Sequence, residues 1–196
     1  VGFYRMLVFI PYVTSTVAIS WVWRWMFMKQ GGVVNSILRI FGLHSQPFLD
    51  STTQAIRVVM SNVVWQSIGF YTIIIVAGLM QISTSYYEAA DIDGATPWQK
   101  FKHITIPLLN PTLVYVAIIS TIKTLQVFTE VFNITGGNAG NPGGPLNSTM
   151  SLVLYIYNLA FRNYNMGMAS AATVVLFIFI LAITVFQMKV LSRKID

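Results

Sequence analysis

The stretch from Glu88 to Pro107, EAADIDGATPWQKFKHITIP, is the longest polar interruption between two strongly apolar segments of the chain. Two helix starts are predicted in or beside it. Ser85 lies three residues before Glu88, which is the spacing of a capping box, where a hydroxyl and a carboxylate satisfy free amides at a helix start. Thr96-Pro97-Trp98-Gln99 repeats that spacing, with proline at the first helical position.

Gly94 lies between these two helix starts, and glycine readily adopts the left-handed conformation that ends a helix. The sequence therefore predicts a helix over about residues 86–93, a sharp turn at Gly94, a second helix over about 97–103, and then Pro107. We expect this helix-turn-helix to lie outside any bilayer.

The composition places the rest of the chain in a membrane. Of its 196 residues, 55% are hydrophobic and only 9% are charged, whereas a soluble domain carries about 25% charged residues. The mean hydropathy is +0.66. Although the net charge is +6, the basic residues are scattered, so no nucleic-acid partner is expected. The chain has no cysteine, which excludes a disulfide framework and a thiolate metal site.

Four segments meet the requirement of about 20 mostly apolar residues for a transmembrane helix. They cover residues 6–28, 58–82, 108–132 and 166–188, within a single domain that occupies residues 1–196. Pro11 predicts a kink in the first segment. Between the first two segments, apolar residues at helical spacing predict a short amphipathic helix at the membrane surface. The predicted fold class is therefore an all-α polytopic membrane helix bundle.

The polar stretch resembles the EAA loop in the membrane subunits of binding-protein-dependent ABC importers. The pattern of that loop is EAA, three residues, G, nine residues, then I-x-L-P. Glu88-Ala89-Ala90, Gly94 and Ile104-Thr105-Ile106-Pro107 occur at these spacings, with Ile106 where leucine is usual. The layout GGVVNSILRIFGLHSQPFLD at residues 31–50 resembles the carbohydrate-uptake branch, of the maltose or glycerol-phosphate type.

The resemblance implies a permease subunit without enzymatic activity, in the bacterial cytoplasmic (inner) membrane. It would move a sugar or sugar-like solute by alternating access, driven by two copies of an ABC ATPase docked at the coupling loop, residues 85–107. A second permease, expected to be a different chain, and an extracytoplasmic solute-binding protein are the other implied partners. The resemblance also implies two further spans upstream of this chain.

The same resemblance assigns the docking residues. Glu88, Ala89, Ala90 and Gly94 match the motif that contacts the ATPase. Small alanines let a short helix enter a cleft on another protein, and the Glu88 carboxylate can pair with a basic side chain there. The basic residues at Lys100 and Lys102 and at 189–194 favour this side as cytoplasmic.

Polar residues inside the predicted spans are candidates for the substrate path. A sugar requires hydrogen-bond donors and acceptors, which the second span offers at Asn62 and Gln66 and the third at Lys123, Gln126 and Glu130. Lys123 and Glu130 are seven residues apart, so they are predicted to share a helix face. Hydrogen bonding between helices is the alternative role for the neutral members of this set.

Other functions are less consistent with the sequence. The two histidines, His44 and His103, have no metal-binding spacing, and no Gly-rich loop ends in GK[ST], so neither a metal nor a cofactor is expected. An importer permease for an amino acid, peptide or ion stays open. A membrane enzyme would have to use Lys123 and Glu130, and a passive channel would conduct without an ATPase.

Overall fold

The computed structural model describes residues 2–136 and 142–191, and within these ranges it contains helices and no strand. The predicted all-α class is confirmed. The α-helices are α1 (Gly2–Val13), α2 (Thr16–Met26), α3 (Val33–Ile40), α4 (Ala55–Met80), α5 (Thr84–Ile92), α6 (Pro97–Lys100), α7 (Ile106–Leu125), α8 (Thr129–Thr135), α9 (Leu152–Tyr157) and α10 (Met166–Leu191). Phe101–Thr105 and Asn158–Arg162 are π-helical turns, and Phe48–Asp50 and Pro145–Asn147 are 3-10 turns.

Three helical runs in the described part of the chain are long and apolar enough to cross a membrane. They are α4, the continuous run Pro97–Leu125, and α10. A fourth crossing requires α1 and α2 to count as one span, yet these helices are bent by 98°. The sequence predicted one kinked helix over 6–28. Two helices form instead, because Ser15 leaves the helical conformation (φ −54°, ψ 120°) and interrupts the hydrogen-bond ladder.

The third predicted span, 108–132, is also divided. Helix α7 ends at Leu125, and Phe128 has a non-helical backbone (φ −137°, ψ −59°) before α8 begins. The prediction that Lys123 and Glu130 share one helix face is therefore wrong. The helix breaks where the chain enters the protein interior, because Val127 and Phe128 pack against the apolar core described below.

At its other end, this span begins earlier than predicted. Pro107, expected after the second helix of the polar stretch, lies inside the continuous run Pro97–Leu125. Proline cannot donate an amide hydrogen bond, and its ring collides with the carbonyl four residues earlier. The π-helical turn Phe101–Thr105 immediately precedes it, and such a widened turn accommodates the proline without breaking the helix.

The chain divides into two compact units, of which the first comprises Val1–Gly69 and Thr124–Phe177. Its core is a cluster of buried aliphatic residues from α4, α8 and α9, ringed by aromatic side chains. The buried members are Val58, Val59, Val131, Ile134 and Leu154. Gly69 on α4 lies against the backbone of α1, since a Cβ atom there would be 2.2 Å from the carbonyl oxygen of Val8.

Asn35 fixes the connection between α2 and α4. Its side chain is fully buried and accepts a hydrogen bond from the Gln46 amide at 2.8 Å. Its Nδ2 donates to the carbonyls of Gln46, Met28 and Lys29 at 3.0, 3.2 and 3.2 Å. The opposite face of α3, including Ile40 (81% exposed) and Phe41 (75%), is uncovered. This is the predicted amphipathic helix, and its place at a membrane surface stays a prediction.

The second unit comprises Phe70–Lys123 and Ile178–Asp196. Its helices are joined by polar contacts between spans. Gln187 Nε2 donates to Thr121 Oγ1 at 2.8 Å, and Asn110 Nδ2 donates to the Leu191 carbonyl at 3.2 Å. Gly78 of α4 faces Thr112 of α7, because a Cβ atom at Gly78 would lie 2.6 Å from the Thr112 hydroxyl oxygen.

Candidate functional sites

The polar stretch folds as a compact hairpin of two helical arms, residues 83–105, which we call the coupling hairpin. Its first arm, α5, begins two residues earlier than predicted. Ser83 is the N-cap, and its hydroxyl accepts from the Ser85 amide at 3.3 Å. The predicted capping box of Ser85 with Glu88 is therefore wrong. Ser85 lies inside the helix because Ser83, an equally good cap, already takes the extended conformation (φ −62°, ψ 136°).

The predicted turn at Gly94 is confirmed. Gly94 has φ +72°, its amide donates to the Asp91 carbonyl at 3.1 Å, and the Ala95 amide donates to the Ala90 carbonyl at 2.9 Å. These two bonds form a Schellman motif, which satisfies the free carbonyls at a helix end. No atom lies within 4 Å of the position of a Gly94 Cβ. The glycine is therefore required by the backbone conformation and not by lack of space.

The predicted capping box of the second arm is also confirmed. The Thr96 hydroxyl accepts from the Gln99 amide at 3.4 Å, and the Gln99 side chain accepts from the Thr96 amide at 2.7 Å. Pro97 occupies the first helical turn, where no amide donor is needed. Each arm of the hairpin thus carries its own start signal, and Gly94 separates them.

Two contacts between the arms close the coupling hairpin. Lys100 of α6 forms an ion pair with Asp91 of α5, and the Tyr87 hydroxyl contacts the Thr105 hydroxyl at 2.9 Å. The sequence did not predict the ion pair, because its two residues are nine positions apart and lie on different helices. With the Schellman motif and the second cap, these contacts hold the arms in one arrangement.

The surface of the coupling hairpin combines small, acidic and large apolar residues. Glu88 and Ala89 are exposed, and Ala90 is half-buried. Ile92 and Trp98 are 88% and 69% exposed. These two large apolar side chains are therefore candidates for contact with another protein, beside the predicted docking residues. In the sequence, the only indication of these two residues was that large apolar side chains occur within an otherwise polar segment.

Two path candidates, Asn62 and Gln66, lie in the first unit on α4. Gln66 is 6% exposed, and its Nε2 donates to Thr16 Oγ1 of α2 at 3.0 Å, which is the predicted alternative of bonding between helices. Asn62 is fully buried, and neither of its side-chain polar atoms has a partner among the described residues. Ser20, one turn beyond Thr16 on α2, is likewise buried with an unpartnered hydroxyl.

The remaining path candidates lie on different elements of the chain. In the second unit, the exposed Lys123 makes a cation–π contact, with its Nζ 4.5 Å from the ring centroid of Phe70. In the first unit, Gln126 is exposed in the break after α7, and Glu130 is half-buried in the first turn of α8.

Apolar helices of membrane-spanning length, joined by an exposed and locally capped hairpin, define a multi-pass membrane protein. The family described as the binding-protein-dependent transport system inner membrane component matches residues 2–196. The chain belongs to this family and therefore to the cytoplasmic (inner) membrane.

Several transport permeases are similar to the chain. It is 42% identical over 88% of its length to the lactose transport system permease protein LacF of Rhizobium radiobacter. It is 34% identical over 99% to the sn-glycerol-3-phosphate permease protein UgpA of Agrobacterium fabrum. It is 35% identical over 96% to the trehalose/maltose permease protein MalF of Thermococcus litoralis. The chain spans 57%, 64% and 62% of these proteins, respectively.

The fold is similar to that of a bacterial ABC transporter involved in the import of the acidic polysaccharide alginate. The TM-score is 0.85 at 26% identity, covering 100% of this chain and 66% of that one. A structure of the bacterial alginate transporter in complex with an alginate pentasaccharide-bound periplasmic protein has a TM-score of 0.81 at 26% identity, covering 95% and 63% of the two chains.

Proposed function

We propose that the chain is the permease subunit of an ABC importer that moves a carbohydrate or sugar-like solute across the cytoplasmic membrane. The observation that carries this proposal is the coupling hairpin of this family member, which presents Glu88 and Ala89 on the exposed surface of α5, the arm that ends at the Gly94 turn. The relatives are permeases named for lactose, glycerol phosphate and trehalose or maltose. Their names favour a sugar over an amino acid, peptide or ion.

The hairpin's role is to transmit motion from an ATPase to the spans. ATP binding closes a pair of ATPase subunits, and the docked hairpin moves with them, so that the spans alternate between inward- and outward-facing states. The second arm continues without interruption into α7, as the run Pro97–Leu125. Because no flexible linker intervenes, a displacement of this arm is passed directly to a membrane span.

Glu88, Ala89, Ala90 and Gly94 form the proposed docking site for the ATPase. Glu88 supplies a carboxylate for a basic partner residue, and the alanines allow close approach. The exposed Trp98 and Ile92 provide the apolar contact area that anchors interfaces of this kind. ATP hydrolysis takes place on the partner, so the chain itself acts as a pathway and not as an enzyme.

The proposed complex contains two ATPase copies, a second permease of different sequence and an extracytoplasmic solute-binding protein. The family description, which specifies dependence on a binding protein, supports the last of these. If the coupling hairpin lies in the cytoplasm, alternation of the spans would put the connection 27–54 and the residues 142–165 before α10 on the outer side. We call the first of these the outer connection.

Asn62, Gln66, Lys123, Gln126 and Glu130 are the proposed substrate-path residues. Two of them have support from the structure. Asn62 is a buried amide without a protein partner among the described residues, and the cation of Lys123 is held over the Phe70 ring. Donors and acceptors of this kind match the hydroxyl groups of a sugar.

The test is a mild-detergent purification of the tagged chain from its native cell, followed by mass spectrometry and by uptake assays in proteoliposomes. We expect an ATPase, a second permease and a binding protein to copurify, and sugar uptake to require ATP. Recovery of the chain alone, together with solute flux that needs no ATP, would instead indicate a passive channel.

A further inference from the structure

Helix α3, in the outer connection, turns its polar side inward and its apolar side outward. Its Asn35 is fully buried, and the amide of that side chain bonds to the backbone of Met28, Lys29 and Gln46. The backbone of the connection therefore covers the polar side of the helix. In a water-soluble protein an amphipathic surface helix is arranged the opposite way, with its apolar stripe facing the core.

The outward side of the helix carries four exposed apolar residues, Ile37, Ile40, Phe41 and Leu43, which we call the α3 patch. The first three follow one another at helical spacing. At about 3.6 residues per turn, they lie on the side of α3 opposite Asn35. Scattered apolar residues are ordinary on a protein surface, whereas a group of large ones marks a surface that contacts a partner.

The end of α3 fixes the last member of the patch. The Leu43 amide donates to the Leu38 carbonyl at 2.9 Å, and the Gly42 amide donates to the Arg39 carbonyl at 3.0 Å. Together with the left-handed conformation of Gly42 (φ +71°), these bonds form a Schellman motif. The chain that follows the helix therefore has a defined course, and Leu43 is held beside the last turn of α3.

The contact between α3 and α2 shows the level at which α3 begins. Gly32 is buried, and a Cβ atom there would lie 2.9 Å from the carbonyl oxygen of Met26, the last residue of α2. In the final turns of α2, Trp21 and Trp25 are exposed, and the Arg24 guanidinium lies 4.9 Å from the ring centroid of Trp21. Exposed tryptophans near the end of an apolar helix are typical of the membrane–water interface, so α3 begins at that interface.

We propose that the α3 patch is immersed in the outer leaflet of the membrane and anchors the outer connection to lipid. Lipid is the favoured partner because the patch carries no charge and α3 begins at the level of the exposed tryptophans. Arg39 lies on the flank of α3 nearer to Asn35, and interfacial helices keep basic residues away from the apolar face that they immerse by about 5–10 Å. The choice of leaflet rests on the proposed function, whereas the contact with lipid does not.

The test is site-directed spin labelling of the full chain in nanodiscs of phosphatidylethanolamine and phosphatidylglycerol, with the subunits that copurify made cysteine-free. Because the chain has no cysteine, Ile40→Cys and Phe41→Cys each introduce one labelling site at an exposed position. Arg39→Cys is the matched control, since it is exposed on the flank of the same helix. Relaxation of each label is measured with oxygen, which dissolves in lipid, and with a water-soluble nickel chelate. We expect the oxygen-to-nickel ratio at positions 40 and 41 to exceed that at 39 several-fold.

Two results would overturn the lipid contact. A ratio at positions 40 and 41 no higher than at 39 would show that the patch is not turned into lipid. Shielding of both labels from both reagents would show that protein covers the patch. That protein would be another permease subunit if shielding is present from the start, or the binding protein if shielding appears only when it is added. A chain without ATP-driven uptake, but with the high ratios at 40 and 41, would still support the lipid contact.

Discussion

The two connections that precede and follow α4 are built in different ways. In the outer connection, the buried side chain of Asn35 bonds to backbone groups six to eleven residues away. The start and the turn of each arm of the coupling hairpin are formed by neighbours in sequence, and the contacts of Lys100 with Asp91 and of Tyr87 with Thr105 then close the two arms. A connection made of local signals keeps its shape while its outer surface stays free to bind a partner.

The largest expected effect is at Asn35. Asn35→Leu keeps the side-chain size but leaves the Gln46 amide and buried carbonyls without partners, at a cost of about 1–3 kcal/mol for each unsatisfied group. We expect amide hydrogen exchange across the outer connection to accelerate strongly. Ser36→Ala, next to it on the exposed side of α3, is the control. Unchanged exchange in the Asn35 variant would show that the packing of α3, and not the hydrogen bonds of Asn35, fixes the connection.

A smaller effect is expected at the turn of the coupling hairpin. Gly94→Val forces a β-branched residue into a left-handed conformation, which costs about 1–3 kcal/mol, so we expect membrane insertion but loss of ATP-driven uptake. Gly42→Val is a close control. Gly42 has φ +71°, and it too has no atom within 4 Å of a Cβ position, but it lies in the outer connection. Equal loss of uptake in both variants would mean that backbone strain from replacing any left-handed glycine, and not a loss of coupling, causes the defect.

The cap of the second arm contributes less. Thr96→Ala removes the hydroxyl that accepts from the Gln99 amide, with an expected loss of about 1 kcal/mol. Hydrogen exchange at Gln99 should increase, while exchange in the outer connection stays the same. Thr96→Ser should restore the protection, because serine caps as well as threonine; if it did not, the threonine methyl would be the important group.

The smallest effect is expected for the ion pair between the arms. Asp91 is 66% exposed, and exposed ion pairs contribute only about 0–1 kcal/mol. Asp91→Asn should therefore change uptake little at ordinary ionic strength. High salt should make the variant and the parent protein alike. A loss of uptake comparable to that of Gly94→Val would instead assign Asp91 to the docking surface.

Features that depend on neighbouring residues could be predicted from the sequence. The turn at Gly94 and the cap at Thr96 depend on groups that are at most five residues apart, so their residue types are sufficient. The long apolar helices follow from composition. Asn35 carries no comparable signal, because its partners are backbone atoms that the fold brings to it.

The features that were missed depend on packing. No glycine or proline interrupts residues 126–128, yet α7 ends at Leu125, where Val127 and Phe128 turn into the core of the first unit. The 98° bend between α1 and α2 follows Pro11, but proline predicted only a kink. The inclusion of Pro107 in a helix needed a π-helical turn that no local pattern indicates.

The most direct test of ATPase docking is cross-linking from the coupling hairpin. Because the chain has no cysteine, Ala89→Cys introduces a single reactive thiol at the proposed docking site, and Ser36→Cys places the same group in the outer connection. In native membranes treated with a short thiol-to-amine cross-linker, we predict that Cys at position 89 forms an adduct with an ABC ATPase, identified by mass spectrometry, and that Cys at position 36 does not. An adduct from neither position, or from both alike, would contradict the docking of an ATPase at this hairpin.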